Sequence, residues 1–191
     1  DLWLIDLSSG DLKQITHTPR AEGSYQWSKD DKNVLFSRGK TIWKQPVNGK
    51  KPYKITTLPL SVETFKLSPD GLSIVFSSRV FVNCNSLQCS AKKLLKRKSQ
   101  KQTGKLYHQL FVRHWDTWND GLRSHLFVMP LPQKSTDSKT LKITDITQGF
   151  DADIPSLPFG GSEEYNFSND NKSIYFSAKN VGKKEAWSTP N

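Results

Sequence analysis

Short apolar runs bracketed by turn residues recur along this chain. Residues 27–37 read "WSKDDKNVLFS", residues 67–77 "LSPDGLSIVFS" and residues 167–177 "FSNDNKSIYFS". Each copy opens with a large apolar residue and a serine: Trp27-Ser28, Leu67-Ser68 and Phe167-Ser168. Turn formers follow. Asp and Asn bond their own backbone, Pro presets φ, and Gly or Asn tolerates positive φ. Each copy then enters an apolar run: Val34-Leu35-Phe36, Ile74-Val75-Phe76 or Ile174-Tyr175-Phe176. β-branched and aromatic residues favour strands, and a continuous run predicts a strand covered on both faces. The phrase therefore predicts strand, tight turn, strand.

The surroundings repeat as well. A further apolar segment follows each hairpin, at Thr41-Ile42-Trp43, His125-Leu126-Phe127-Val128 and Ala186-Trp187, and the chain opens with Leu2-Trp3-Leu4-Ile5. Next come segments ending in Ile-Thr: "LKQIT" (12–16), "KPYKIT" (51–56) and "LKIT" (141–144). Ile15 to Ile55 and Trp27 to Leu67 are both 40 positions apart. A period of about 40 residues with four strands per unit predicts an all-β, partial β-propeller of four-stranded antiparallel blades. A β-sandwich with chance similarity is the alternative. Leu67 to Phe167 is 100 positions, so one blade carries an insertion, placed at 78–124 and expected to be short and helical. The expected division is 1–16 as the end of one blade, 21–56 as a blade, 61–144 as the blade with the insertion, and 154–191 as an incomplete blade. This phase reads as part of a larger propeller, for which self-association through open strand edges is expected.

Composition changes this picture in one place. The net charge is +10, yet residues 91–105 hold seven Lys or Arg and no acid, so the basicity is local. Leu94 and Leu95 among Lys92, Lys93, Lys96 and Lys98 fit a short amphipathic helix with a solvated basic face. Contact with a partner or a membrane surface is the alternative. A nucleic-acid interface would interleave stacking aromatics, which this segment lacks. No apolar run approaches the length needed to span a bilayer. Cys84 and Cys89 in "CNSLQC" read best as a local disulfide in an oxidising compartment; two reduced loop thiols are the alternative. Zinc needs four ligands, and neither His108 nor His114 offers the spacing, so no metal or other cofactor is expected.

Catalytic motifs are missing from the sequence. There is no Gly-x-Ser-x-Gly elbow and no P-loop, and "FGGSEEY" (159–165) fits neither. His114, Asp116, Asp120 and His125 could be imagined as an acid–base set. They read better as loop hydrogen bonders, with Trp115 and Trp118 as packing anchors and Asn119-Asp120-Gly121 as a turn. The adjacent Glu163 and Glu164, ahead of the third hairpin, could hold a cation such as a peptide amino group; two solvated acids are the alternative.

"LFVRHWDTWNDGLRSHLFV", "DIPSLPFGGSEEYNFSNDNKSIYFSAK" and "NCNSLQCSAKKLLKRK" resemble the propeller of prolyl oligopeptidase family serine peptidases, nearest to bacterial dipeptidyl-peptidase V and acylaminoacyl-peptidase-like enzymes. The turns SKDDK and SNDNK depart from the SPDG form, which TolB-like binding propellers also use. The resemblance implies a substrate-gating, non-catalytic propeller of an exopeptidase acting on short peptides. Its α/β-hydrolase domain with the triad would lie beyond residue 191. It also implies an amine-binding role for Glu163 and Glu164 and a periplasmic or secreted location, where a disulfide persists. A TolB-like protein-binding propeller without peptidase activity is the alternative.

Overall fold

The computed structural model describes residues 1–19, 21–104 and 120–181, together with the backbone pairing of Arg113–His114 and Thr117–Trp118. The expectations for His108, Trp115, Asp116, Asn119, Ala186 and Trp187, and for the side chains of His114 and Trp118, lie outside the described residues.

Strands β1 (Trp3–Ile5) and β2 (Leu12–Gln14) pair antiparallel. A four-stranded antiparallel sheet follows in chain order: β3 (Tyr25–Trp27), β4 (Asn33–Arg38), β5 (Thr41–Pro46) and β6 (Tyr53–Thr57). The next sheet opens with β7 (Phe65–Leu67) and β8 (Ser73–Val80). After β8 come helix α1 (Leu87–Ser99) and the hairpin β9 (Arg113–His114) with β10 (Thr117–Trp118). Strands β11 (Arg123–Pro130) and β12 (Thr144–Asp145) then complete that sheet in the order β7-β8-β11-β12. A last hairpin joins β13 (Tyr165–Phe167) to β14 (Ile174–Phe176). The described structure is all-β apart from α1 and short 3₁₀ turns.

The repeated turn is one hydrogen-bonded device built three times. The Ser28, Ser68 and Ser168 hydroxyls donate to Asp30, Asp70 and Asp170 at 2.5, 2.5 and 2.6 Å. The same hydroxyls accept from the backbone N–H of Asn33, Ser73 and Ser173. The residue after each aspartate takes positive φ: Asp31 at 55°, Gly71 at 74° and Asn171 at 63°. Glycine does so without strain and Asn or Asp tolerates it, so SKDDK and SNDNK close as well as SPDG.

The strand after each turn explains the unbroken apolar runs. Leu35 packs with Ile74, Phe76, Phe65 and Phe127 between the two four-stranded sheets. Val34 and Phe36 point the other way, onto Leu2 and Ile15 of the first hairpin segment. Val75 points toward the last hairpin, joining Leu126, Ile154, Tyr165 and Phe167. Successive residues of β4 and β8 thus face two different cores, which alternation cannot serve. In β14, Ile174 and Phe176 pack inward while Tyr175 is 63% exposed.

The first strands of successive units lie side by side. The Leu67 N–H donates to the Gln26 side-chain oxygen at 2.8 Å, and the Phe65 N–H donates to the Ser24 hydroxyl. One unit further on, the Tyr165 and Thr64 hydroxyls meet at 2.8 Å, and the Asp70 N–H donates to the Asn171 side-chain oxygen.

Two details differ from the sequence expectation. Pairing of β8 with β11 continues to Val80 opposite Arg123, so the extra segment starts after 80 rather than at 78 and ends before 123. The hairpin grows because Ser77, Ser78 and Ser124 are buried and stay in the ladder. Of the neighbouring pair Leu94 and Leu95 in α1, only Leu94 packs on the core; Leu95 is 68% exposed, because one turn of helix cannot turn two consecutive residues to the same face.

Candidate functional site

The two ends of the short first strands differ in kind. At the turn end, a cleft of about 270 Å³ opens between β3, β7 and β13, lined by Gln26, Trp27, Lys29, Leu67, Asn166 and Phe167 among others. Among the described residues, Lys29 is the only charged group in its wall. At the other end, acidic and basic side chains gather into one seam.

That seam starts at Glu63, just ahead of β7. Its carboxylate accepts from the Ser124 hydroxyl at 3.2 Å. The Ser124 N–H donates to Asp153 at 2.8 Å, and the Ser124 carbonyl accepts from the Ile154 N–H at 2.7 Å. Arg123, 7% exposed at its side chain, bridges Asp151 at 2.8 Å and Asp153 at 3.1 Å. Arg79 pairs with Asp120 at 2.9 Å, and Arg97 of α1 donates to the Asp120 carbonyl. Protein packed around the carboxyl end of Glu63 raises its pKa against the pull of Ser124 and Arg79, although Glu63 as a residue stays exposed.

From Ile154 the seam runs into a constrained loop. Ile154–Pro155 and Leu157–Pro158 are cis, and the Gly160 N–H donates to the Ser156 carbonyl at 2.7 Å. A side chain at Gly160 would meet the Ser156 backbone at 2.5 Å, so only glycine fits this approach. Glu164 closes the loop by accepting from both the N–H and the hydroxyl of Ser156, each at 2.7 Å. Glu163 is exposed and has no ion pair among the described residues. The two adjacent glutamates sit together in a 3₁₀ turn, Ser162–Glu164, directly before β13, but only Glu163 offers an uncommitted carboxylate.

The other sequence candidates separate. His125 is 1% exposed at its side chain, with Nδ1 on Asp145 and Nε2 on the Phe150 carbonyl, both at 2.9 Å. Both partners only accept, so the ring satisfies both as an imidazolium. Burial works against that charge, but the Asp145 hydrogen bond and charge prevail and raise the His125 pKa. Asp120 is held by Arg79 and caps Gly121-Leu122 through the Leu122 N–H. These contacts are structural and leave neither group poised for proton transfer. Cys84 and Cys89 form a disulfide, Cα atoms 5.5 Å apart, at the entry to α1. The described residues contain no group of three or more His, Cys, Asp or Glu arranged for a metal ion.

Sequence reasoning missed Glu63 and the Arg123–Asp151–Asp153 group. One signal was available: Glu63 and Glu163 lie 100 positions apart, the spacing of Leu67 and Phe167, so both stand at the entrance to a first strand. The Arg123 contacts had no such signal, because a 153–123 meeting depends on how β11 and the following loop fold together.

This geometry defines an antiparallel repeat protein with an acidic seam at one strand end. No family model matches the chain. It is similar to dipeptidyl-peptidase 4 of Giardia intestinalis, 32% identical over 139 residues, which is 64% of this chain and 18% of that protein. Dipeptidyl-peptidase 5 of Porphyromonas gingivalis is 25% identical over 194 residues, covering 99% of this chain and 27% of its own length. Dipeptidyl-peptidase 5 of Aspergillus oryzae is 24% identical over 192 residues, 92% of this chain and 26% of that protein. The chain therefore spans between 18 and 27% of the length of these relatives. Among solved structures, the tricorn protease superposes with a TM-score of 0.45 at 10% identity, over 91% of this chain and 12% of that one. The sequence relatives are peptidases.

Proposed function

We propose that this chain is a section of the β-propeller of a serine exopeptidase that hydrolyses short peptides, and that the section itself is non-catalytic. The observation that carries this reading is the similarity to a dipeptidyl-peptidase over 99% of the chain. Side-by-side first strands, at matching positions in three successive units, fit blades arranged around an axis. On this reading the blades divide as 1–16, 21–56, 61–144 and 154–191, and the hydrolase domain that carries the triad is a separate region of the whole protein. The propeller then gates access, and the acidic seam receives the substrate's amino group, with Glu163 as the contacting carboxylate and Glu164 holding the loop that presents it. The disulfide fits a periplasmic or secreted protein.

The test is expression of the whole protein with a fluorogenic dipeptide substrate and a serine-directed inhibitor. Inhibitor-sensitive cleavage is expected. Glu163→Gln should lower kcat/KM for free-amine substrates about ten- to a hundredfold, the worth of a charged hydrogen bond, and leave N-blocked substrates unaffected. A whole protein without cleavage would turn the reading toward a TolB-like binding propeller. An unchanged kcat/KM in the Glu163 variant would remove only the amine contact.

A further inference from the structure

Helix α1 carries a surface that its fold does not account for. The helix is firmly placed: Ser86 caps it by accepting from the Cys89 N–H, the Cys84–Cys89 disulfide ties its first turn, and Leu87, Ala91 and Leu94 pack on the core. The opposite face carries Lys92, Leu95, Lys96 and Ser99, at helical spacings of three and four, with Lys98 and Lys101 beside them, all exposed. Lys92 and Lys96 are like charges one turn apart, which destabilises a helix. No Asp or Glu occurs anywhere in residues 71–115, and the first turn of α1 holds no acid.

The helix dipole explains cations in the last turn, namely Lys96, Arg97 and Lys98. It does not explain Lys92, which lies in the middle. Two further basic groups are used by the fold: Arg97 turns in to the Asp120 carbonyl, and Lys93 contacts Asn83 and the Phe81 ring. Lys92, Lys96, Lys98 and Lys101 remain without an ion pair among the described residues. Two lysines outside the helix do lie near acids, Lys29 near Asp70 and Lys44 near Asp30.

We propose that this face of α1 docks the protein on an anionic lipid surface. Three features select lipid over other anions. The available cations are all lysines, compact charges on long stems that follow diffuse headgroup charge, whereas the one arginine suited to bidentate phosphate contact is turned inward. Leu95, 68% exposed amid Lys92, Lys96 and Lys98, offers an aliphatic group that water disfavours and an acyl boundary accepts, while the lysine stems snorkel around it. The face is a convex helix carrying no aromatic side chain, so it lacks the stacking platform of a nucleic-acid site. This inference rests on α1 and not on the peptidase reading.

The experiment is co-sedimentation of the whole chain with vesicles of phosphatidylcholine, alone or mixed with phosphatidylglycerol. Binding severalfold stronger to the mixed vesicles at low salt is expected, lost in half-molar salt because screening shortens the reach of exposed charges. The triple variant Lys92→Gln, Lys96→Gln, Lys98→Gln should lose that preference while keeping the parent's circular dichroism and melting midpoint. Leu95→Ser should weaken binding severalfold with the charge intact. Equal sedimentation with both vesicle types, or undiminished binding by the triple variant, would overturn the proposal. Competition by soluble heparin together with an unaffected Leu95→Ser would also overturn it, in favour of a soluble polyanion.

Discussion

His125 and Thr41 hold the same place in successive sheets: Thr41 pairs with Arg38 across β4–β5, and His125 with Ser78 across β8–β11. Around Thr41 the chain simply reverses through Gly39 and Lys40, and the Thr41 hydroxyl meets Thr57 near the surface. Around His125 the same reversal has opened into residues 81–122, which carry the disulfide and α1. The histidine there is buried against Asp145, beside the seam of Arg123, Asp151 and Asp153. At the opposite end the two sheets are alike, down to the Ser28–Asp30 and Ser68–Asp70 contacts. The repeated end closes each hairpin, and the unequal end is free to vary. Chemistry specific to this protein is therefore to be sought where the sheets disagree.

Removing the buried pair breaks the comparison most sharply. His125→Ala leaves the Asp145 carboxylate, 5% exposed at its side chain, without its cation. Breaking one partner from a buried pair costs about 3–5 kcal/mol. Thr41→Ala, at the matching surface position, should cost no more than about 0.5 kcal/mol. Urea denaturation of both variants reads the difference; similar small losses would mean that His125 is not held as an imidazolium. pH adds an independent check. The folded pKa of His125 is raised above its unfolded value, so its stabilisation is complete below the unfolded histidine pKa, about 6.5. That contribution is lost as pH rises through the folded pKa. The parent should show this fall in urea midpoint on the alkaline side of 6.5, and His125→Ala should lack it.

The insertion supplies the next contrast, since the first sheet has nothing equivalent. A disulfide closing so short a loop stabilises by about 2 kcal/mol through the entropy of the unfolded chain. Cys84→Ser with Cys89→Ser should lower stability by about that amount in urea, and treatment of the parent with a thiol reductant should reproduce it. An intact mass unchanged by reduction would show that the cysteines are unpaired in solution. A normal disulfide with an unchanged urea midpoint would mean that α1 is held by Ser86, Leu87 and Leu94 alone.

How much of this was readable in advance follows the range of each interaction. The hairpins were legible because the turn is local: Ser, Asp and a positive-φ residue lie within four positions of one another. Doubly covered strands were legible because Val34-Leu35-Phe36 and Ile74-Val75-Phe76 are apolar without alternation. The tie between Glu164 and Ser156 was not, since it depends on Gly160 lying against the Ser156 backbone. Nor was the reach of β8 to Val80, which contains Ser77, Ser78 and Arg79 and looks like a strand end by composition. Polar residues there are buried only because β11 answers them across the ladder.

The smallest contrast lies within the shared turn. Ser68 is 3% exposed, whereas Ser168 belongs to the hairpin whose outer face leaves Tyr175 in solvent. In both copies the hydroxyl donates to an aspartate and accepts from a backbone N–H, and water can take over those bonds only where it can reach them. Ser68→Ala should therefore cost about 1 kcal/mol and Ser168→Ala visibly less. The serine hydroxyl is also the main reason that the Asp70 and Asp170 pKa values lie below the ordinary carboxylate range. A depressed carboxylate pKa contributes stability above its unfolded value and loses it as pH falls through the folded value. Each serine variant should accordingly return its own aspartate toward the ordinary range in a carboxyl NMR titration and leave the other two unmoved. If Ser68→Ala shifted Asp170 as well, the three turns would be coupled through the Asp70–Asn171 contact, and the repeat would have to be treated as one cooperative rim instead of three separate closures.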